Sequence, residues 1–509
     1  MLVVVISKYD MSFVDKIQTI LPYIDAIEIR LDYWKTLDIT KIKALQQLLP
    51  IPMIFTIRNK EQGGYFQNSE KQRFKEIYKL ASLKPAYLDI EYNLPDDFIS
   101  SISTSYPDIK LIGSYHNFVE TPNNLDEILN FLKKKPFHIY KIATYANNTL
   151  DALRMLIFIK EKSSHNSLIG ICMGDLGVPT RILGKIVGNM VDYAVLDDND
   201  KSAPGQINLD ILLKQYNYKN LNRNTIIFAL LGDPVISSFG DIFHNKAFQL
   251  LKKNAVYVKL KISKYELSYA LIYLKKLPFK GFSITMPLKE LVYELVDHTD
   301  DDAKNIQAIN SIIVKDKNKY YGFNTDGKGV VIVLSEVINL SNKKILILGA
   351  GGAAKAIAYE MSKLGANLTV LNRTIEKAKE ISKLYHGSTA YNLYQFPEVV
   401  RQGYDIIINT IPISVYKSNL PIDKGYIVPY RWAMDINYQL NGETPFLQMA
   451  KDKGCNCISG YDMFVHQAVL QLYNWFDISP EHIKNIMNLN KKGIISTTSN
   501  HKFYDRGNI

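Results

Sequence analysis

Up to about residue 200 the chain alternates short apolar runs with amphipathic stretches. The runs are LVVVIS (2–7), AIEIRLD (26–32), MIFTIR (53–58), AYLDIEY (86–92), KLIGSYH (110–116), IYKIATY (139–145), SLIGICMG (167–174) and YAVLDD (193–198). Eight such runs, each followed by a segment of helical period, predict an α/β fold that opens with a parallel (β/α)8 TIM barrel over residues 1–215. The stretch KQYNYKNLNRNT (214–225) has no periodicity and reads as a linker. Alternation then resumes over 225–329, with strands at IIFALLG, AVYVKLKI and GFSITMP and a helix after His244. A third α/β region occupies 330–435, helices return over 436–485, and 486–509 is a polar tail expected to be loosely ordered.

Polar residues interrupt the apolar runs where a barrel interior should be. In AIEIRLD, a period of two puts Glu28, Arg30 and Asp32 on one face and Ile27, Ile29 and Leu31 on the other. Helices cover the outside of a barrel, so the apolar face goes outward and the charged face inward. Buried charges are costly unless paired, so three on one strand point to a polar pocket. Arg58, His116, Lys141 and Met173 fall near strand ends on the C-terminal face, where barrel active sites are built. Lys141 has no acid adjacent in sequence and lies in apolar company, so its pKa is expected to be depressed, making it a candidate amine nucleophile. The alternative is an ion-paired lysine at the barrel rim.

Composition narrows the classes. The chain has 509 residues, 47% hydrophobic and 22% charged, as in a soluble globular protein of several domains. The net charge of +11 is scattered without a basic block interleaved with aromatics, so no nucleic-acid partner is expected, although positive potential suits anionic small substrates. No apolar run spans a bilayer, and MLVVVISKYDM reads as a first strand with neither signal nor transit peptide, so a bacterial-type cytoplasm is expected. Cys172, Cys455 and Cys457 are too few for a disulfide framework, and their spacing predicts no metal site.

The stretch KILILGAGGAAKAIAYEMSKLGANLTVLNRT (344–374) runs from strand to turn to helix to strand. Gly349, Gly351, Gly352 and Ala353 lie in its G-x-G-x-x-A fingerprint, which lets a pyrophosphate approach a helix N-terminus. An NAD site places Asp or Glu after the second strand. Asn372, Arg373 and Thr374 stand there instead, with Lys377 nearby, favouring a 2′-phosphate and hence NADP(H).

The motifs EIR (28–30), TIR…GG (56–64), SYHNF (114–118), YKIAT (140–144), CMGDLGVPTRI (172–182) and SAPGQ (202–206) come in an order that resembles type I 3-dehydroquinate dehydratases. The resemblance implies an imine between Lys141 and the substrate ketone and a proton-shuttling His116. Arg181 would pair with the substrate carboxylate, and Glu28, Arg30, Arg58, Ser202 and Gln206 would bind the substrate and close the lid. One departure is Gln62, which stands where the family has Glu before Gly-Gly.

The motifs GDPVISSFGDIFHN (232–245), GFSITMPLKE (281–290), AIN (308–310), GFNTDG (322–327), DIIINTIP (405–412), DINY (435–438) and GYDMFVHQA (460–468) resemble shikimate dehydrogenase. That resemblance implies a substrate-binding domain over 225–329, a Rossmann NADP domain over 330–435 and C-terminal helices returning to the substrate domain. Lys289 and Asp326 would be the catalytic pair. Ser238, Thr285, Asn310, Tyr438 and Gln467 would complete the substrate site, with Gly460 at the cofactor. Gly240 replaces the second of a serine pair, and Ser283 replaces the commoner Asn.

The product of the first implied reaction is the substrate of the second, so a bifunctional shikimate-pathway enzyme is expected: dehydration of 3-dehydroquinate, then NADPH-dependent reduction to shikimate. The alternatives are a quinate/shikimate dehydrogenase half with relaxed substrate or cofactor choice, a Schiff-base aldolase barrel, and a catalytically decayed ligand-binding protein. The partners implied are small molecules, with oligomeric state open.

Overall fold

The computed structural model describes residues 1–7, 12–385, 387–416, 422, 432–439 and 442–488; the polar tail from 489 onward lies outside them. Contacts divide the chain into two units, 1–227 with 241–279, and 228–240 with 280 onward.

The first unit is built on a parallel sheet. Its strands are β1 (Leu2–Ile6), β2 (Ala26–Arg30), β3 (Met53–Thr56), β4 (Tyr87–Glu91), β5 (Lys110–His116), β6 (Ile139–Tyr145), β7 (Leu168–Met173), β8 (Asp192–Val195) and β9 (Ile207–Asn208), ordered β7-β6-β5-β4-β3-β2-β1-β8-β9. The sheet curls: one buried cluster takes Val3, Ala26, Ile54, Tyr87, Ile112, Ile139, Ile169 and Tyr193, a residue from each of the first eight strands. Met190 N, just before β8, donates to Leu168 O at the start of β7 at 2.9 Å. Side chains alternate along a strand, so each strand that sends an apolar residue to this floor sends the residues two and four positions further on into the layers above. Above Ala26 come Glu28 and Arg30, above Tyr87 come Asp89 and Glu91, above Ile112 comes Ser114, and above Ile139 comes Lys141; all are buried. The interior is thus apolar at one end and charged at the C-terminal end, as the alternation in AIEIRLD requires.

Two features differ from the eightfold repeat. No α-helix stands between β8 and β10; a 3-10 turn (Asp198–Asp200), β9 and a π-helical turn (Ile211–Gln215) lie there instead. The polar stretch 214–225 is also anchored, because Tyr216, Tyr218 and Leu221 are buried and the Tyr218 hydroxyl donates to Asp192 Oδ2 at 2.6 Å. Burial pushes the Asp192 carboxyl up to about 6, against the bonds from Tyr218 and Asn189 that favour its ionised form. Folded Asp192 therefore holds its proton more tightly than the unfolded chain does, and its contribution to stability is lost as pH rises through about 6. Tyr218→Phe removes a donor to the ionised form, so it should cost about 1–3 kcal/mol above that pH and less below it, read as melting temperature against pH. An equal loss at all pH values would refute the linkage.

Strand β10 (Ile226–Gly232) precedes β11 (Ala255–Lys261), and Thr149 Oγ1 donates to Lys261 O at 2.5 Å. The second unit contains a mixed sheet with β12 (Phe279–Ile284), β13 (His298–Thr299), β14 (Ser311–Lys315) and β15 (Lys319–Phe323), in which β14 runs antiparallel to β12 and β15. A fully parallel sheet follows, made of β16 (Lys344–Leu348), β17 (Asn367–Asn372), β18 (Thr389–Asn392), β19 (Ile406–Asn409), β20 (Trp432–Asp435) and β21 (Asn456–Ser459). Its order, β18-β17-β16-β19-β20-β21, is that of the doubly wound dinucleotide fold, with the switch point beside β16. Helix Gly352–Lys363 buries Ala354, Ile357, Ala358 and Met361 in a core with Ile345 and Ile347 of β16. Among the described residues no helix is long and apolar enough to cross a membrane.

Candidate active sites

The charged layer of the barrel opens into a pocket lined by, among others, Glu28, Arg30, Arg58, His116, Lys141 and Arg181. Ser202 and Gln206 also line it, so this one pocket gathers all the barrel residues expected from the sequence. Strand register explains the convergence: Lys141 pairs with Ser114 across β5 and β6, and Asp89 with Thr56 across β3 and β4. The Asp89 carboxylate lies at the centre. It accepts from Lys141 Nζ at 2.9 Å, Arg58 Nη2 at 2.7 Å and Ser114 Oγ at 2.7 Å. Glu28 is 3.9 Å from Lys141 Nζ and accepts from Thr56 Oγ1 at 2.7 Å. Arg30 is turned toward Asp32, with bonds of 3.0 and 2.8 Å, at the edge of the pocket.

The depressed pKa expected for Lys141 is not found. Burial pulls it down, but the carboxylates of Asp89 and Glu28 outweigh burial and hold the resting side chain as an ammonium, above its ordinary value. Its acid partner is adjacent in space across two strands, 52 residues away in sequence. His116 is moved the other way: burial, then Arg58 and Lys141, keep it well below the usual histidine range and therefore neutral. Arg181 is pulled down to about 10 by burial, and its Nε has no hydrogen-bond partner.

Two loops close over this layer. In SAPGQ, Gln206 Oε1 accepts from Ser202 N at 2.6 Å and Ala203 N at 3.1 Å, while Pro204 O accepts from Arg181 Nη2 at 3.3 Å. Gly205 has φ +75°, and a Cβ there would stand 2.4 Å from Gly174 O, so glycine is required where this loop meets the end of β7. On the other side Gln62 Oε1 accepts from His116 N at 3.2 Å, so the residue that departs from the dehydratase pattern touches the histidine backbone.

The second unit holds another constellation. Lys289 begins helix Lys289–Tyr293, Asp326 begins helix Asp326–Ser335, and Lys289 Nζ meets Asp326 Oδ2 at 2.6 Å. The other carboxylate oxygen accepts from Asn310 Nδ2 at 2.7 Å. Gln467 joins the cluster, its Oε1 accepting from Asn310 at 3.3 Å and from Thr325 Oγ1 at 3.4 Å. Thr285 stands just past β12, where Gly232 leaves room for its methyl group. Tyr438 stacks on Phe239 with ring centroids 5.2 Å apart, which brings it to the loop of Ser238. Ser238 Oγ itself accepts from Gly240 N at 3.1 Å. Ser283 donates to Gln471 Oε1 at 2.9 Å.

The glycine fingerprint stands beside this pair. Gly349 has φ +104°, a Cβ on Gly351 would meet nothing within 4 Å, and a Cβ on Gly352 would lie 2.9 Å from Lys289 Cβ. The turn thus leaves a bare backbone face at the helix N-terminus, with Ala353 on its first turn, as a pyrophosphate needs. After β17, Asn372 Nδ2 donates to Thr374 O at 2.9 Å and Asn392 Nδ2 to Arg373 O at 3.0 Å, so the turn is fixed while Arg373 and Lys377 are exposed. Gly460 begins helix Gly460–Phe476 and packs against the carbonyl of Ile436, where a Cβ would fall at 2.3 Å.

Residues 1–223 match the family model of type I 3-dehydroquinase, 230–312 that of the shikimate dehydrogenase substrate binding domain, and 332–417 that of shikimate / quinate 5-dehydrogenase. The shikimate biosynthesis protein AroDE of Chlamydia pneumoniae is 35% identical over 477 residues, covering 91% of this chain and 94% of the relative. The chain belongs to the bifunctional 3-dehydroquinate dehydratase/shikimate dehydrogenase family. The chloroplastic bifunctional enzyme of Arabidopsis thaliana is 32% identical, over 89% of this chain and 77% of its own. The NADP(+) shikimate dehydrogenase of Pyrococcus furiosus is 38% identical, over 50% of this chain and 92% of its own.

In the dehydratase half the residues missed are Asp89 and Glu91, which bind the cations. AYLDIEY carried the signal, since its two acids alternate on one face as those of AIEIRLD do. Glu91 accepts from Arg73 Nη1 at 2.6 Å and from Asn59 N at 2.9 Å, fixing the loop that leads to Gln62. In the dehydrogenase half the missed residue is Gln471, which binds Ser283 and also donates to Ser311 Oγ at 2.7 Å. It lies four residues after Gln467, on the same helical face.

Proposed function

We propose that the barrel dehydrates 3-dehydroquinate through an imine at Lys141 and that the second unit reduces the resulting 3-dehydroshikimate with NADPH. The convergence of Lys141, His116 and Arg181 on one pocket carries this reading. An amine, a neutral base and an unsatisfied guanidinium are what a ketone bearing a carboxylate and a β-hydroxyl requires. Arg181 takes the carboxylate, satisfying its free Nε. Lys141 yields a proton to His116 and adds to the ketone; His116 returns that proton to the former ketone oxygen, which leaves as water, and an imine remains. The imine acidifies the adjoining C–H; His116 takes that proton and returns one to the departing hydroxyl, which leaves as water. Hydrolysis then frees the product and the lysine. Asp89 and Arg58 hold the charges in place throughout.

In the second unit Lys289 is aimed by Asp326, itself fixed by Asn310, and donates to the oxygen of the ketone being reduced. Gln467, Thr285, Tyr438 and Ser238 surround the ring. NADP(H) fits the bare glycine turn, and Arg373, Thr374 and Lys377 would hold its 2′-phosphate; when bound it supplies the hydride. Gly240 leaves one hydroxyl fewer at the carboxylate end and favours, as a second reading, a relaxed choice between shikimate and quinate. The three free cysteines suit a reducing compartment, and we propose the cytoplasm.

The purified chain supplied with 3-dehydroquinate and NADPH should release shikimate, identified by mass spectrometry. Accumulated dehydroshikimate would overturn the reading of the second unit, and unchanged dehydroquinate that of the barrel.

A further inference from the structure

Three buried side-chain atoms without a hydrogen-bond partner line the barrel pocket: His116 Nδ1, Arg181 Nε and the Tyr193 hydroxyl. A buried polar group left unpaired destabilises a fold, so such groups gathered in one cavity indicate partners that arrive with a ligand. His116 and Arg181 already have roles. Tyr193 has none, and the fingerprint motifs do not include it, although it stands next to the Lys141 amine.

Tyr193 rises from the apolar floor on β8, and its ring lies under the amine, with Lys141 Nζ 4.5 Å from the ring centroid. Burial, opposed by the nearby Lys141 charge, lifts the phenol above its ordinary range, so the group stays protonated and is available as a donor. A phenylalanine would fill the same space and offer the same face to the ammonium. The hydroxyl is therefore an addition that packing does not require.

We propose that Tyr193 is a substrate-contacting residue of the dehydratase site, its phenol donating a hydrogen bond to the ketone oxygen of the cyclic substrate as Lys141 adds to the carbonyl carbon. As the N–C bond forms, the π pair moves onto that oxygen; Tyr193 stabilises the charge and keeps its own proton. The ammonium proton then passes from nitrogen to oxygen, the proton that Lys141 first gave up to His116 is returned to the same oxygen, and that oxygen departs as water when the imine forms. This rests on the imine reading of Lys141.

Tyr193→Phe in the full chain tests it. Dehydration kcat/KM should fall ten- to a hundredfold and borohydride trapping of the substrate adduct should slow. Shikimate dehydrogenase turnover should not change, and the melting temperature should stay level or rise, because an unpaired hydroxyl has been removed. Unchanged dehydration would overturn the proposal. So would a lowered melting temperature, or failure to fold, since either would give the hydroxyl a structural partner. If the wild-type chain itself traps no adduct, the imine reading fails and this proposal falls with it; trapping in wild type with an unaffected variant overturns the Tyr193 contact alone.

Discussion

Lys289→Ala is expected to abolish NADPH oxidation by 3-dehydroshikimate while leaving 3-dehydroquinate dehydration at its full rate. Removing a positioned general acid costs about 100- to 10,000-fold, and among the described residues Lys289 is the ammonium paired with Asp326, at 2.6 Å. The substitution keeps the Cβ against which Gly352 packs, so the glycine turn retains its support. The Asp326–Asn310 bond also remains, and the carboxylate is not left alone. Dehydration belongs to residues of the other contact unit, so following both activities in one preparation gives an internal control for folding. Simultaneous loss of the two would show that this substitution does more than remove a proton donor.

The second large effect belongs to the barrel. With dehydroquinate present, borohydride should leave a stable adduct on Lys141, located by peptide mass spectrometry. Lys141→Met should lower dehydration on the order of 10⁶-fold, the scale at which loss of a covalent nucleophile is felt. The chain should still fold, because Asp89 keeps Arg58 at 2.7 Å and Ser114 at 2.7 Å. Reduction of dehydroshikimate should be untouched. Adduct on another lysine, or dehydration that survives the substitution, would refute the assignment.

Much of this was legible in the chain. The alternation in AIEIRLD gave the inward polar face before any tertiary contact was known, and strand, glycine turn, helix and strand around Gly349–Gly352 gave the nucleotide fold. Information that crosses strands was hidden. Lys141 looked like an amine in apolar surroundings because its partner Asp89 is 52 residues upstream. Only the register of parallel strands makes the two neighbours. Composition misled at 214–225, where polar residues surround three anchors, Tyr216, Tyr218 and Leu221, whose burial has no periodicity to announce it. Nothing in YAVLDD marks the Tyr193 hydroxyl as lining a cavity.

On the imine reading of Lys141, its salt with Asp89 also decides what the barrel ignores. An ammonium has no lone pair, so aldehydes, sugars and keto acids that drift into the open mouth meet no nucleophile there. The amine is unmasked only when its proton is taken, and the neutral base that can take it, His116, lines the same cavity. The resting ammonium should therefore form adducts with such carbonyl compounds only slowly.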